Sequence, residues 1–232
     1  MLKALLIIIS AFVSLYTVDF ITSRKLVNRY KMYGIFGKCG SGKSTMLTMY
    51  AYKNAKKGWE VYTNDPSIIG IEGIKYFDDL KFKQGEWLPD GRKGHINEYG
   101  DINKENRNIC LIVDEIGSLY NNRDFKNNLN PKTLRWWKEH RHKNVKIYYG
   151  SQSYKDMDLK IRQLTDVLMI IKRSFFQNFS IAKPILIQFD IQNNETGDNS
   201  GGQIVEKYSY DIFLFWKWIL LRKWIKKFDS YR

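Results

Sequence analysis

The sequence predicts an α/β fold in which a mostly parallel sheet is sandwiched by helices and organised round a phosphate-binding loop. Three observations lead there. A glycine-rich run, "GKCGSGKS", lies between a short apolar stretch and a helix-forming one. A continuous apolar run, "ICLIV", ends in two acids. Downstream, strand-like and helix-like segments alternate, which implies parallel strands joined by helices on both faces, antiparallel only late in the chain.

In the first of these, Gly37, Gly42, Lys43 and Ser44 fit the pattern G-x-x-x-x-G-K-[S/T]. "MYGIF" before it reads as a buried strand and "STMLTMYAYKNAKK" after it as a helix, the context the pattern requires. Glycines at 37, 40 and 42 let successive backbone N–H groups curl round a β-phosphate with no Cβ in the way. Lys43 then reaches the β- and γ-phosphates, and the Ser44 hydroxyl ligates Mg²⁺. The expected nucleotide contacts are Gly37, Lys38, Cys39, Gly40, Ser41, Gly42, Lys43, Ser44 and Thr45. The chain is thereby predicted to be a P-loop NTPase that binds ATP with Mg²⁺.

Hydrolysis also needs an acid-tipped strand beside the loop. Ile109 to Val113 supply an uninterrupted apolar run, suited to a strand buried on both faces, followed by Asp114 and Glu115. Asp114 is expected to hold Mg²⁺, directly or through water, and Glu115 to polarise the attacking water. Gln152 ends the next strand, "NVKIYYGSQS", where an amide can sense the γ-phosphate or orient the water.

Length suits one substantial core with appendages. Net charge is +14, from 38 Lys and Arg against 24 Asp and Glu, which predicts a polyanionic or anionic-membrane partner. The two cysteines, Cys39 in the loop and Cys110 in the acid strand, differ so much in setting that no structural disulfide is expected between them. Free thiols and an ATP site place the domain in the cytosol.

Residues 1–24 read as a transmembrane anchor. Between Lys3 and Arg24 the only charge is Asp19, a length close to the roughly 20 residues a helix needs to cross a bilayer. Arg24, Lys25, Arg29 and Lys31 follow, so the positive-inside bias leaves the ATP site cytoplasmic. A helix docked on the domain's own core is the alternative. Residues 25–210 form the ATPase domain. Within it, residues 81–108 are polar and turn-rich and read as an exposed loop with room for a hairpin; Asn130 and Pro131 open a helix as cap and first-turn proline. "TDVLMIIKRSFFQ", "KPILIQFDIQ" and a segment from Gln203 read as strands. Residues 211–232 form a basic amphipathic helix, with Arg222, Lys223, Lys226 and Lys227 on one face and tryptophans on the other, suited to a membrane surface, to the protein's own core or to nucleic acid. Lone histidines have no cysteine or acid at metal spacing, so no zinc site is read.

"GKCGSGKST", "VYTND", "LIVDEIGSLY" and "KEHRHKNVKIYYGSQS" together resemble the zonular occludens toxin (Zot) family over roughly Lys31 to Ser174. These are ATPases that filamentous phages use to assemble and export virions, relatives of the FtsK/HerA DNA-pumping ATPases. The resemblance implies a membrane-anchored ATPase at the host inner or plasma membrane, single-pass, with phage coat or export proteins as partners. It also implies a homo-oligomeric ring, and single-stranded DNA as a further partner. Arg141, between His140 and His142, would be a finger to a neighbour's γ-phosphate or a contact to partner or DNA, with a solvated helix end as the plainer reading; Arg162 is a second candidate. A DNA-packaging or conjugative translocase of the same superfamily, and more distantly a small-molecule kinase, are the competing functions. Many members place the membrane segment after the ATPase domain; here the apolar segment precedes it.

Overall fold

The computed structural model describes residues 7–17, 31–68, 70–96, 100–121, 130–155, 157–174, 179–192, 203–209, 217–220 and 223. Helix α1 covers residues 7–17. Strand β1 (Met32–Phe36) runs through the glycine-rich loop into α2 (Lys43–Ala55), then β2 (Glu60–Thr63), β3 (Ile74–Tyr76) and α3 (Asp79–Gln84). The acid strand is β4 (Ile109–Val113), followed by the single turn α4 (Ile116–Leu119) and by α5 (Pro131–Glu139). Next come β5 (Val145–Ser151), α6 (Leu159–Leu164), β6 (Val167–Arg173), β7 (Phe179–Gln192), β8 (Gln203–Ser209) and β9 (Lys217–Leu220).

The sheet order is β3-β2-β4-β5-β1-β6-β7-β8, with β9 also on β7. From β3 to β6 every pairing is parallel, whereas β6–β7, β7–β8 and β7–β9 are antiparallel. The all-apolar sequence of β4 follows from its place. Ile109, Leu111 and Val113 join one core, with Phe82 of α3, Ile116 of α4, Trp136 and Trp137 of α5 and Ile161 of α6. Cys110 and Ile112 point the other way, into a core closed by Met46, Leu47 and Ala51 of α2. With both faces covered, no position in β4 can be polar. Helix α5 starts as expected: the Asn130 side chain accepts from the Lys132 N–H at 2.9 Å, and its amide donates to the Gln84 carbonyl at 2.9 Å, tying α5 to the end of α3.

Two expectations change. Residues 81–108 are not wholly exposed, since Phe82 closes a core and Asn103 is 1 % exposed; the antiparallel bridge between the exposed Ile96 and Ile102 agrees with the hairpin expected there. The edge strand β3 and the short helix α3 were not expected. Lys217–Leu220, placed in an amphipathic helix, form β9 against Phe179–Ala182; Lys223 is helical and the rest of residues 211–232 lies outside the described residues. No helix among the described residues is long and apolar enough to cross a membrane. Of the expected anchor, α1 is described, and all its side chains are exposed. Its hydroxyls fold back on its own carbonyls, Ser14 to Ser10 at 2.8 Å and Thr17 to Val13 at 2.9 Å. Arg24, Lys25 and Arg29 lie outside the described residues.

Candidate nucleotide site

The carboxyl ends of β1, β5 and β4 lie side by side and present the loop, Gln152 and the two acids to one crevice. The acid strand is not the loop strand's immediate neighbour: β5 runs between them. That insertion places Gln152 between loop and acids.

The loop takes its shape from its glycines. Gly40 and Gly42 have φ of 71° and 98°, in the left-handed region open to glycine. At Gly37 the constraint is space, since a Cβ would lie 2.5 Å from the Ile171 carbonyl oxygen and 2.6 Å from Ser41 Oγ. Gly42 caps α2 with no side-chain hydrogen bond, and no acid occupies the first turn. The α2 N–H groups and their positive dipole end are therefore left for an anion. The Ser41 hydroxyl is buried with no hydrogen-bond partner among the described residues, while the Ser41 carbonyl accepts from Ser180 Oγ of β7 at 2.8 Å. The loop is thus braced by the first antiparallel strand. Thr45 is in the first turn of α2, and Lys38 and Cys39 are exposed on the loop.

Lys43 is 7 % exposed, and its ammonium donates to the Gly37 carbonyl at 3.0 Å and stands 4.0 Å from Glu115 Oε1. Ser44 Oγ donates to Asp114 Oδ2 at 2.7 Å. Burial pushes the Asp114 carboxyl above the usual carboxylate range, against the opposing pull of that Ser44 hydrogen bond. Gln152 Nε2 donates to Glu115 Oε1 at 3.4 Å. Lys43, Ser44, Asp114, Glu115 and Gln152 are therefore brought together from residues far apart in sequence. Beside them a cleft of about 780 Å³ opens, lined by the loop, Gln152, Tyr154, Leu168 and Arg173. Its volume is in the range of small-molecule sites.

Arg141 is not brought there. It precedes β5, whereas Gln152 follows it, so the two lie about 23 Å apart along a seven-residue strand. Its guanidinium pairs with Asp166, whose other oxygen accepts the Met32 N–H at 2.7 Å at the amino end of β1. His140 is buried against the Trp137 carbonyl at 2.7 Å, and Arg162 lies over the Tyr154 ring at 5.1 Å. Two residues of the site had drawn no attention in the sequence: Ser180, behind the loop, and Asn64, which follows β2 and contacts the Asp114 backbone. Asn64 stands in "VYTND", but a polar residue ending a strand gives no sign of what it bonds to.

A glycine-shaped anion cradle at a helix start, a buried lysine, and a serine and an aspartate at hydrogen-bond distance define a P-loop nucleoside triphosphatase. The sequence model of the family described as zonular occludens toxin (Zot) matches residues 32–175, and the chain belongs to that family. No curated protein matches it. Among solved structures it is similar to the N-terminal domain of zonular occludens toxin from Neisseria meningitidis, at 22% identity and a TM-score of 0.47 over 67% of this chain and 83% of that one. It is also similar to the genome packaging NTPase B204 of Sulfolobus turreted icosahedral virus 2 in complex with AMP, at 12% identity and a TM-score of 0.47, over 67% and 92%. A third is the flagellar accessory protein FlaH of Methanocaldococcus jannaschii, at 16% identity and 0.41, over 66% and 77%.

Proposed function

We propose that this chain is a membrane-anchored ATPase that drives virion assembly and export of a filamentous phage from the host inner membrane, with the ATPase domain on the cytoplasmic side. The observation that carries the chemistry is the Ser44–Asp114 contact of 2.7 Å facing Glu115 and Gln152 across the loop. Two hard oxygen donors at that spacing suit Mg²⁺, with phosphate and water completing its shell. Ser44 and Asp114 would hold it, and when bound it supplies positive charge against the triphosphate. Lys43 adds its charge at the β- and γ-phosphates. Glu115 orients a water toward the γ-phosphorus and takes up its proton as the bond to the bridging oxygen breaks; Gln152 holds Glu115 and reports whether the γ-phosphate is present.

Family membership and the +14 charge support work on a polyanion or at an anionic membrane. The exposed apolar side chains of α1, Ile7, Phe12 and Leu15 among them, and its self-satisfied hydroxyls support residues 1–24 as the anchor, with residues 25–210 as the motor domain. Arg141, remote from its own chain's site, serves in this reading a neighbouring subunit of a ring. Packaging or conjugative transport of naked DNA is the competing reading for the same motor. ATP hydrolysis in anionic liposomes, with and without single-stranded DNA, separates them. A rate unchanged by DNA and raised by coat or export proteins supports virion assembly; a rate raised by DNA alone transfers the reading to DNA transport.

A further inference from the structure

Two non-glycine residues with positive φ stand among the described residues. Asn144, at 58°, is of a type whose short side chain tolerates that region. Glu115 is not, yet it sits at φ 46° and ψ 49° immediately after the acid strand. A strained residue at a functional site persists only where its surroundings hold it.

What holds Glu115 is the peptide unit joining it to Asp114, bonded at both ends. Its N–H is the Glu115 amide, which donates to Asp114 Oδ1 at 2.9 Å. Its carbonyl is that of Asp114, which accepts from Asn64 Nδ2 at 3.1 Å. Asn64 Oδ1 also accepts the Asp114 N–H at 2.8 Å. One partner can only donate and the other can only accept, so the orientation of the Asn64 carboxamide is unambiguous. Strand β2 lies parallel to β4, with Thr63 level with Ile112, so the carboxamide continues the ladder one step past the last paired backbone groups.

We infer that Asn64 is a positioning residue that locks the Asp114–Glu115 peptide plane and so keeps Glu115 in its left-handed conformation, aimed at Lys43 and Gln152. Without it the peptide is free to rotate about Asp114 ψ and Glu115 φ, releasing the strain and carrying the carboxylate away from the loop. Among the described residues the hydrogen bonds of Asn64 go to the Asp114 backbone and none to the loop, so it acts through Glu115. The inference rests on the proposed role of Glu115 as the water-activating base.

Asn64→Ala tests it. Expected are a fall in kcat of about tenfold to a hundredfold, the range of small misplacements of a catalytic group, and unchanged affinity for a fluorescent ATP analogue. In a Glu115→Gln background the same substitution leaves the residual rate unaltered. Parallel loss of nucleotide affinity, or further loss of rate in the double variant, overturns the inference. The crystal structure of the variant gives a readout independent of turnover: Glu115 φ becomes negative, whereas a value still near +46° overturns the clamp. Asn64→Asp, isosteric and still able to accept the Asp114 N–H, takes its place if the alanine chain does not fold, with the same outcomes. A wild-type chain that hydrolyses nothing would sink the hydrolase reading, while the φ of Glu115 still decides the clamp.

Discussion

Replacing Gly150 by alanine perturbs the acid pair without altering any charge. Gly150 lies in β5, and a Cβ there would stand 2.8 Å from Asp114 Oδ1 and 3.1 Å from Leu47 Cδ1. Real Cβ contacts essentially never fall under 3.0 Å, so the carboxylate must move. It is not free to do so, because Oδ1 accepts the Glu115 N–H at 2.9 Å and Oδ2 accepts Ser44 Oγ at 2.7 Å. Gly150 is not among the positive-φ glycines, so backbone strain adds nothing to the effect. Overpacking of this kind costs about 1–3 kcal/mol. Expressed at the reacting centre, where about 1.4 kcal/mol is tenfold, that predicts Mg²⁺-dependent hydrolysis lowered about tenfold to a hundredfold. Expressed in the fold, it lowers the melting temperature by about 2–4 °C per kcal/mol. Steady-state ATPase assays across a Mg²⁺ titration measure the first and calorimetry the second. A rate within about twofold of wild type, with unchanged Mg²⁺ dependence, would refute the claim that Asp114 works from this position.

Asp114→Asn removes a buried charge, and in the absence of nucleotide and metal it raises the melting temperature at neutral pH while hydrolysis falls. The sign follows from a folded pKa above the unfolded one: the stability this carboxyl contributes is present at low pH and is lost as pH rises through its folded value. The advantage of the variant therefore shrinks as pH falls toward about 4, and a variant less stable than wild type at pH 7 would contradict this. Thiol reagents should modify exposed Cys39 in the native protein, with bound ATP protecting it, and leave Cys110, whose thiol burial pushes up to about 12, until unfolding. Mass spectrometry decides, and early modification of Cys110 would contradict the two-sided burial of β4.

The sequence made legible what is encoded locally. The loop glycines, the unbroken apolar run of β4 and the Asn130–Pro131 start of α5 each declare themselves within a few residues. What it hid depends on partners distant in the chain. Strand β3 is three residues at a sheet edge, too short for any alternation to register. Lys217–Leu220 lie in a segment with helical periodicity yet pair with β7, tertiary pairing overriding local pattern. Arg141 and Gln152 look close in sequence, but the strand between them carries them to opposite ends of the sheet. Asn64 acquires its place only because β2 packs beside β4, some fifty residues later.

The most direct measurement is single-turnover hydrolysis of ATP by wild type and by Glu115→Gln, alongside binding of a fluorescent ATP analogue. Glu115 stands between Lys43 at 4.0 Å and Gln152 at 3.4 Å, and among the described residues no side-chain hydrogen bond joins it to the loop. Binding is therefore predicted to persist while hydrolysis falls by about a hundredfold or more, the scale of losing a general base. A variant that hydrolyses ATP at the wild-type rate would contradict the account, since the water would then be activated by a group other than Glu115.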